Sequence, residues 1–258
     1  MKSYLKNILS EFSPISLEEM DKVSFFHRID TKFVLNADKL KLLLSEIKDD
    51  YSVLEIDGKR CFSYSTIYYD TPDLRMYIDH IRGKLNRFKV RHREYVDTGM
   101  AYLEIKFKKN SGRTFKWREP EKSKNSHSGF TDNLLLKKHL PPHFKNLNPI
   151  IKNDFHRITL VDKKHTQRVT IDFDILYYTL EEKNKNKSKL SDLIIIEIKS
   201  DKTKEKNGIQ KALNKLRIKK SGFSKYCMGV ALTDLNKQKT GALKPRFIKI
   251  NKLTNKPV

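Results

Sequence analysis

Hydrophobic and polar residues alternate with a period of two along much of the chain, and this pattern predicts β-strands. Strands are predicted over residues 25–35, 51–56, 62–69, 85–95, 100–108, 113–118, 151–161, 168–174, 176–181 and 192–199. Short turns that end in glycine, at 97–99 and 110–112, separate three of these strands, as antiparallel hairpins require. The pattern therefore predicts a largely antiparallel sheet.

Helices are predicted between the strands, where apolar residues recur at helical spacing. They fall over 2–20 in two pieces, and over 37–48, 73–80, 133–139, 206–218 and 223–232. Ser16 and Glu19 have the spacing of a capping box that begins the second N-terminal piece. The run 183–189 is predicted as a solvated hairpin tip. We expect one domain over 1–235, with N-terminal helices over 1–22, followed by a basic, flexible tail over 236–258.

Nearly every predicted strand has one apolar face and one charged face, because alternate side chains of a strand point to opposite sides. In the strand 85–95, Phe88 and Val90 lie opposite the charged residues. The charged faces contain Arg28, Asp30 and Lys32; Arg87, Lys89, Arg91 and Arg93; Glu104, Lys106 and Lys108; Lys116 and Arg118; Arg168, Thr170, Asp172 and Asp174; and Glu197 and Lys199. A solvated sheet face is the ordinary explanation of such a pattern.

Two observations favour a different arrangement. The charged faces mix single carboxylates with many cations, and the amphipathic helices need an apolar surface to cover. An α+β fold satisfies both if its sheet forms a barrel with a charged lumen and an apolar outer wall. Cations in such a lumen require water and anions to compensate them. The alternation therefore predicts a tunnel for a polyanion.

Composition agrees with a polyanionic partner. The 258 residues include 54 Lys and Arg against 31 Asp and Glu, a net charge of +23. Two cysteines, Cys61 and Cys227, exclude a disulfide scaffold and a cysteine-based metal cluster, and free thiols indicate a reducing, cytoplasmic compartment. Neither a membrane span nor a signal peptide is predicted. The aromatic residues lie mostly opposite the charged faces, so nucleic-acid binding is not expected.

Nine motifs occur in an order that resembles the catalytic domain of the vacuolar transporter chaperone (VTC) polyphosphate polymerases, in the CYTH or triphosphate tunnel metalloenzyme superfamily. They are 26–34 (FHRIDTKFV), 65–73 (STIYYDTPD) with Tyr77, 89–95 (KVRHREY), 103–106 (LEIK), 112–118 (GRTFKWR), 154–157 (DFHR), 168–172 (RVTID), 195–199 (IIEIK) and 223–226 (FSKY). The resemblance implies a closed, eight-stranded antiparallel tunnel with helices outside.

The resemblance also implies the site and the reaction. Phosphate would be bound by Arg28, Lys32, Lys89, Arg91, Arg93, Lys106, Lys116, Arg118, Arg157, Arg168, Lys199, Ser224 and Lys225. The catalytic residues among them would be Lys32, Arg91, Arg93, Lys106 and Lys225. Glu197 and Glu104 would bind Mn²⁺ or Mg²⁺. The implied reaction transfers the γ-phosphate of ATP onto a growing inorganic polyphosphate chain.

Two departures from the family patterns bear on this assignment. Triphosphatases of the superfamily open with Glu-x-Glu-x-Lys, whereas here Arg28 stands at the first position, followed by Asp30 and Lys32. An arginine there removes a metal-binding carboxylate, which favours the polymerase over hydrolysis. Gly222 stands where the polymerases often have lysine. A triphosphatase and a non-catalytic polyphosphate-binding module remain alternatives, and a peripheral membrane partner remains open.

Overall fold

The computed structural model describes residues 2–21, 28–121, 133–144, 146–180, 187–190, 192–201, 208–233 and 241–254. The strands in these ranges are Ser13–Ile15 (β1), Arg28–Asn36 (β2), Tyr51–Leu54 (β3), Phe62–Asp70 (β4), Arg87–Tyr95 (β5), Met100–Lys108 (β6), Thr114–Glu121 (β7), Asn148–Asp162 (β8), Gln167–Thr179 (β9), Lys187–Leu190 (β10) and Leu193–Asp201 (β11). The α-helices are Lys2–Ser10 (α1), Leu17–Asp21 (α2), Ala37–Ile47 (α3), Arg75–Ile81 (α4), Leu134–His139 (α5), Gly208–Lys215 (α6), Lys225–Leu232 (α7) and Lys244–Thr254 (α8).

The strands form one sheet, and its main path is antiparallel throughout. The order along this path is β2-β11-β9-β8-β4-β5-β6-β7, while β3 pairs with β8, β1 pairs with β3, and β10 pairs with β9. The prediction of an antiparallel α+β fold is confirmed. The prediction of a closed eight-stranded tunnel is wrong in its count and its closure, because the described residues form a sheet of 11 strands in which β2 and β7 lie at the two ends of the path.

Two local features explain why β2 and β7 do not pair in the described part of the chain. The free edge of β2 is partly occupied, since Phe33 forms an isolated antiparallel bridge with Lys220 and the Ser221 N–H donates to the Lys32 carbonyl at 2.8 Å. At the other end, β7 contains Pro120, which has no N–H to donate to a further strand. Both edges are therefore poor partners for each other.

The sheet nevertheless curves strongly. Lys106 on β6 and Lys32 on β2 are near enough for the charge on Lys32 to lower the pKa of Lys106, although β11, β9, β8, β4 and β5 lie between them in the sheet. We call the surface that carries these two residues the inner face. The inner face holds the charged side chains, as the alternation predicted.

The outer face of the sheet is apolar, and helices cover it. One core cluster joins α1, α3 and α6 to the outer residues of β2, β8, β9 and β11, among them Leu35, Ile171 and Ile196, which are fully buried. A second cluster joins α5 to the outer residues of β4, β5 and β6. Burial of each such aliphatic side chain contributes about 1.5–3 kcal/mol, so the outer wall supplies much of the stability of the fold.

Apolar residues also bound the inner face at both ends. At one end, α4 and α7 pack against Val34, Tyr68, Phe155 and Ile195. At the other, β1, α2 and β3 contribute to a small cluster around Val161. The charged part of the inner face therefore lies between these two apolar clusters.

Asp174 interrupts the alternation of β9. Two strands were predicted over 168–174 and 176–181, but β9 runs through Asp174, which adopts a left-handed conformation with φ of 50°. Beyond it, Ile175 and Tyr177 pack with Val34 and Ile195 on the inner side, where a regular strand would place them outside. The expectation that Asp174 shares a face with Asp172 along a regular strand is therefore not met.

The chain beyond the predicted domain is folded where the structure describes it. Residues Lys244–Thr254 form helix α8, and Leu243 and Ile250 are buried in the cluster around α7. The loose tail predicted over 236–258 is therefore wrong for 241–254, because these two apolar side chains anchor it. Of the solvated tip predicted over 183–189, residues 187–189 lie instead in strand β10 and extend the sheet, while 183–186 lie outside the described residues. None of the helices in the described ranges is long and apolar enough to cross a membrane.

Candidate functional site

Asp172 forms ion pairs with two cations on the inner face. It lies directly opposite Arg157 in the β8–β9 register, and Arg157 donates from Nε to Oδ1 at 2.6 Å and from Nη2 to Oδ2 at 2.8 Å. The Lys225 ammonium also pairs with Oδ2. Burial favours the neutral carboxyl, but Arg157 and Lys225 outweigh it and hold the pKa of Asp172 well below its usual range. Asp172 therefore fixes both cations in place.

Glu104 likewise forms ion pairs with two cations, on the other side of the inner face. It is opposite Arg91 in the β5–β6 register, and Arg91 contacts Oε2 at 2.6 Å through both Nε and Nη2. The Lys116 ammonium pairs with Oε1. Burial opposes ionisation, but Arg91, Arg93 and Lys116 lower the pKa of Glu104 to about 2. The carboxylate is ionised at physiological pH and holds these cations together.

Glu197 is more accessible than Glu104 and Asp172. It lies opposite Lys32 in the β11–β2 register, with 3.2 Å between the Lys32 Nζ and its Oε1. Despite burial, Lys32, Lys199, Arg157 and Lys106 lower its pKa to about 2. Its side chain is 20% exposed, against 2% for Glu104 and 4% for Asp172. A ligand can therefore reach Glu197 more readily than either of the others.

The N-terminus of α7 faces the cations of the inner face. Ser224 caps the helix by accepting from the Cys227 N–H at 3.4 Å, and the Lys89 ammonium donates to the Ser224 hydroxyl at 2.9 Å. Burial lowers the pKa of Lys89 to about 8, and burial likewise lowers that of Lys225 to about 8 although Asp172 opposes the shift. Both ammonium groups would gain from an anion beside them.

Asp70 anchors α7 in this position. Its carboxylate accepts from the Met76 and Tyr77 N–H groups at 2.8 Å each, at the start of α4, and from the Tyr226 hydroxyl of α7. Burial raises its pKa, and these donors oppose the shift. Asp70 thus ties the strand β4 to both helices, which places Ser224 and Lys225.

Aromatic rings form part of the inner face, although the aromatic residues were expected mostly on the opposite side. The rings of Tyr64 and Phe155 stack with centroids 5.2 Å apart. The Arg157 guanidinium lies 5.0 Å from the Tyr64 ring, and the Lys225 ammonium lies 4.5 Å from the Phe155 ring. Cation–π contacts of this kind hold long side chains without neutralising their charge. Strand alternation places Tyr64, Thr66 and Tyr68 on one face of β4. This pattern in the sequence could have predicted the aromatic rings on the inner face.

His80, at the end of α4, lies near this group of cations. Burial, together with the charges of Lys89, Arg87, Arg246 and Lys32, lowers the pKa of His80 to about 2. The histidine is therefore neutral at physiological pH and adds no charge of its own. Arg246 belongs to α8, so the C-terminal helix also brings a cation to this end of the inner face.

The structure gathers most of the predicted site residues on the inner face. Contacts or mutual charge effects connect Lys32, Lys89, Arg91, Arg93, Lys106, Lys116, Arg157, Lys199, Ser224, Lys225, Glu104 and Glu197. Basic groups clearly outnumber carboxylates there.

For three predicted phosphate ligands the structure gives no side-chain contact with this group of cations. Arg168 donates to the Met20 carbonyl and lies 4.0 Å from Asp21, at the end closed by α2. The Arg118 guanidinium lies 5.0 Å from the Tyr102 ring. Arg28 begins β2, but its side chain lies outside the described residues. Their phosphate-binding roles stay predictions.

The ligands available to a divalent cation are few. Within the ranges that the structure describes, no three His, Cys, Asp or Glu side chains group closely enough to hold a metal. Magnesium is commonly held by one or two carboxylates with substrate phosphates and water. The accessible Glu197 fits a metal that arrives with phosphate. The contacts of Glu104 favour an ion-pair role over the metal-binding role that the resemblance implied.

Comparison with known proteins identifies the family. The family model of the VTC domain matches residues 27–234, which is most of the chain. The chain therefore belongs to the VTC domain family, and the recognition based on the nine motifs is confirmed. Among curated proteins, no match is found.

Solved structures show a more distant likeness. A proposed adenylate cyclase from Vibrio parahaemolyticus is 13% identical with a TM-score of 0.45, over 78% of this chain and 96% of that one. A Hippeastrum protein, described as a proposed adenylyl cyclase with a dominant triphosphatase activity, is 14% identical with a TM-score of 0.47, over 78% and 94%. The PH1012 protein from Pyrococcus horikoshii is 14% identical with a TM-score of 0.41, over 74% and 91%.

Proposed function

We propose that this protein is an ATP-dependent polyphosphate polymerase, with residues 1–235 as its catalytic unit and α8 packed against that unit. The observation that carries the proposal is the excess of fixed cations on the inner face. Lys89 and Lys225 are buried there with lowered pKa values, although acidic partners are few. A row of phosphates supplies the missing negative charge, and arginine forks bind phosphate oxygens in pairs.

In the proposed reaction, a terminal oxygen of the polyphosphate chain attacks the γ-phosphorus of ATP. The new P–O bond joins that phosphate to the chain, the bond to the β-phosphate oxygen breaks, and ADP leaves. Such a transfer depends on alignment and on charge stabilisation at the oxygens around the phosphorus. Lys32, Arg91, Arg93, Lys106 and Lys225 are the residues proposed for this work. Mn²⁺ or Mg²⁺, held through Glu197 and phosphate oxygens, would supply further charge neutralisation.

The state of the carboxylates favours transfer over hydrolysis. General-base activation of water needs a group whose pKa lies near the working pH. Glu104 and Glu197 have pKa values of about 2, and that of Asp172 is also well below its usual range. Each is engaged with cations, so none is suited to take a proton from water. A growing chain brings its own ionised nucleophile and does not need such a base.

The proposal is tested with purified protein, ATP, Mn²⁺ and a short polyphosphate primer. Products are separated on a gel stained for polyphosphate while ADP and free phosphate are measured. Long chains formed together with ADP support the polymerase. We expect Arg91→Ala to lower synthesis by about 100-fold, the usual effect of removing one fixed donor to a developing oxyanion, and Glu197→Gln to lower it as well. Lys164→Ala, which removes an exposed charge from the β8–β9 hairpin, is the matched control.

The same experiment separates the alternatives. Free phosphate without chains would identify a triphosphatase. Tight binding of polyphosphate with no product would identify a non-catalytic binding module, and its affinity would fall steeply with salt. We further propose a cytoplasmic location, where ATP is supplied and where Cys61 and Cys227, which form no disulfide, stay reduced.

A further inference from the structure

Three residues form a row across the strands β2, β11 and β9. Lys32 is directly opposite Glu197, and Glu197 is directly opposite Thr170 on its other side. Side chains that face each other in this way have Cβ atoms about 4.5–5.5 Å apart, so both neighbours lie within reach of the Glu197 carboxylate. In this structure the carboxylate pairs with Lys32 at 3.2 Å.

Thr170 is buried, and its hydroxyl makes no hydrogen bond to the described residues. Only 4% of the residue is exposed, and its Oγ1 has no hydrogen-bond partner among the described residues. A buried hydroxyl that makes no hydrogen bond destabilises the fold relative to a methyl group of the same shape. Other buried threonines use theirs: Thr66 accepts from the Arg93 Nε at 3.3 Å, and Thr233 donates to the Gly229 carbonyl at 2.8 Å. The free-energy cost of the unbonded Thr170 hydroxyl therefore indicates a second conformation of the site, in which this hydroxyl makes a hydrogen bond.

We propose that Thr170 is a positioning residue. Its hydroxyl donates a hydrogen bond to the Glu197 carboxylate when Lys32 leaves that carboxylate to bind a phosphate group. This inference rests on the proposed function, in which Lys32 binds a phosphate group. Without a replacement donor, the departure of Lys32 would leave the half-buried Glu197 carboxylate without its ion pair to that lysine. The Thr170 hydroxyl fills this role as a neutral group, so the carboxylate keeps its charge and its orientation while the lysine is engaged elsewhere.

The first test compares two threonine-to-valine variants of the full chain. Thr170→Val should leave the melting temperature of the free protein unchanged or higher, because no hydrogen bond is lost. It should weaken binding of inorganic tripolyphosphate in the presence of Mn²⁺ by about fivefold, the usual effect of one hydrogen bond. Thr170→Ser, which keeps the hydroxyl, should restore the affinity. Thr233→Val should behave oppositely, with a lower melting temperature and unchanged affinity.

The second test asks whether Thr170 acts through Glu197. Calorimetric affinities for tripolyphosphate are measured for Thr170→Val, Glu197→Met and the double variant, since methionine offers no carboxylate oxygen. The loss caused by Thr170→Val should disappear in the Glu197→Met background. A loss of equal size in both backgrounds would overturn the proposal and make Thr170 a direct phosphate ligand.

The outcomes for the two proposals are separate. If the unmodified protein fails to bind tripolyphosphate, the proposed function fails first. If it binds tightly and Thr170→Val binds equally well, the proposed function survives and the role of Thr170 is refuted. A fall in the melting temperature of free Thr170→Val would also contradict the proposal, because it would show that the hydroxyl is already used.

Discussion

Arg157 and Asp172 lie opposite each other on β8 and β9, and their side chains form a two-point ion pair with N–O distances of 2.6 and 2.8 Å. Lys225, from the distant helix α7, joins the same carboxylate. One buried acid thus fixes the orientation of two cations that come from separate parts of the chain. This relationship connects the stability of the fold with the phosphate-binding capacity of the inner face.

Replacing Asp172 with asparagine should therefore destabilise the protein strongly. Arg157 and Lys225 would remain buried without their shared anion, and breaking a buried pair in this way costs about 3–5 kcal/mol. The free energy of unfolding in urea measures the effect. Glu46→Gln, which breaks the exposed Lys215–Glu46 pair, is the control and should cost under about 1 kcal/mol. Equal effects of the two changes would contradict this account of Asp172.

Stability should fall at acid pH because of Glu104 and Glu197. Their folded-state pKa values of about 2 lie below the ordinary 4.5, so the unfolded chain takes up protons first. The contribution is complete above about pH 4.5, the unfolded value, and is lost as the pH falls toward 2. Unfolding measured across this window should show a smaller pH dependence in Glu104→Gln. An unchanged slope in that variant would refute the assignment.

Binding of phosphate should take up protons near pH 8 to 9. Burial lowers the pKa of Lys89 to about 8, so part of this lysine is neutral there, and a bound phosphate favours the charged form. Calorimetry of tripolyphosphate binding, repeated in buffers of different ionisation enthalpy, counts the protons. Lys89→Met should reduce the uptake, whereas the control variant Lys164→Met should not. Equal uptake in Lys89→Met and the unmodified protein would exclude Lys89 as the source.

Replacing Gly229 of α7 with alanine should weaken phosphate binding, although Gly229 does not itself belong to the site. A Cβ at Gly229 would lie 2.7 Å from the ring of Tyr177, which is fully buried and cannot move aside freely. Gly229→Ala should cost about 1–3 kcal/mol through overpacking. It should also weaken tripolyphosphate binding, because α7 carries Ser224 and Lys225. Gly222→Ala is the matched control, since its Cβ would meet only Arg246 at 3.7 Å.

Removing the C-terminal helix should destabilise the domain. Leu243 and Ile250 are buried against the cluster around α7, and two such side chains contribute about 3–6 kcal/mol together. A chain that ends after residue 240 should therefore unfold at clearly lower urea concentration than one that ends after 254. Coincident transitions would show that α8 adds no stability.

The sequence was most informative where a simple period governs the structure. Strand alternation predicted which side chains of β5, β6 and β11 face inward, because each of these strands is regular. It did not predict the reversal at Asp174, since the residues on both sides still read as strand. The left-handed backbone there changes which face Ile175 and Tyr177 occupy.

Pairings between distant residues were also beyond the sequence pattern. That Lys225 meets Asp172, and that Lys89 meets Ser224, depends on how α7 is docked through Asp70 and Tyr226. The basic composition of residues 241–254 indicated a tail, whereas two apolar positions, Leu243 and Ile250, determine that the segment folds. Local composition was outweighed by burial at a few positions.

The central claim is that ATP-derived phosphate is joined into a chain, and phosphorus NMR of the reaction tests it directly. The protein is incubated with ATP, Mg²⁺ and a short polyphosphate primer, and the spectrum is followed with time. The account predicts that the ATP signals convert to those of ADP while the signal of internal chain phosphates grows in equal amount. Growth of the orthophosphate signal alone, or an unchanged ATP spectrum, would contradict it.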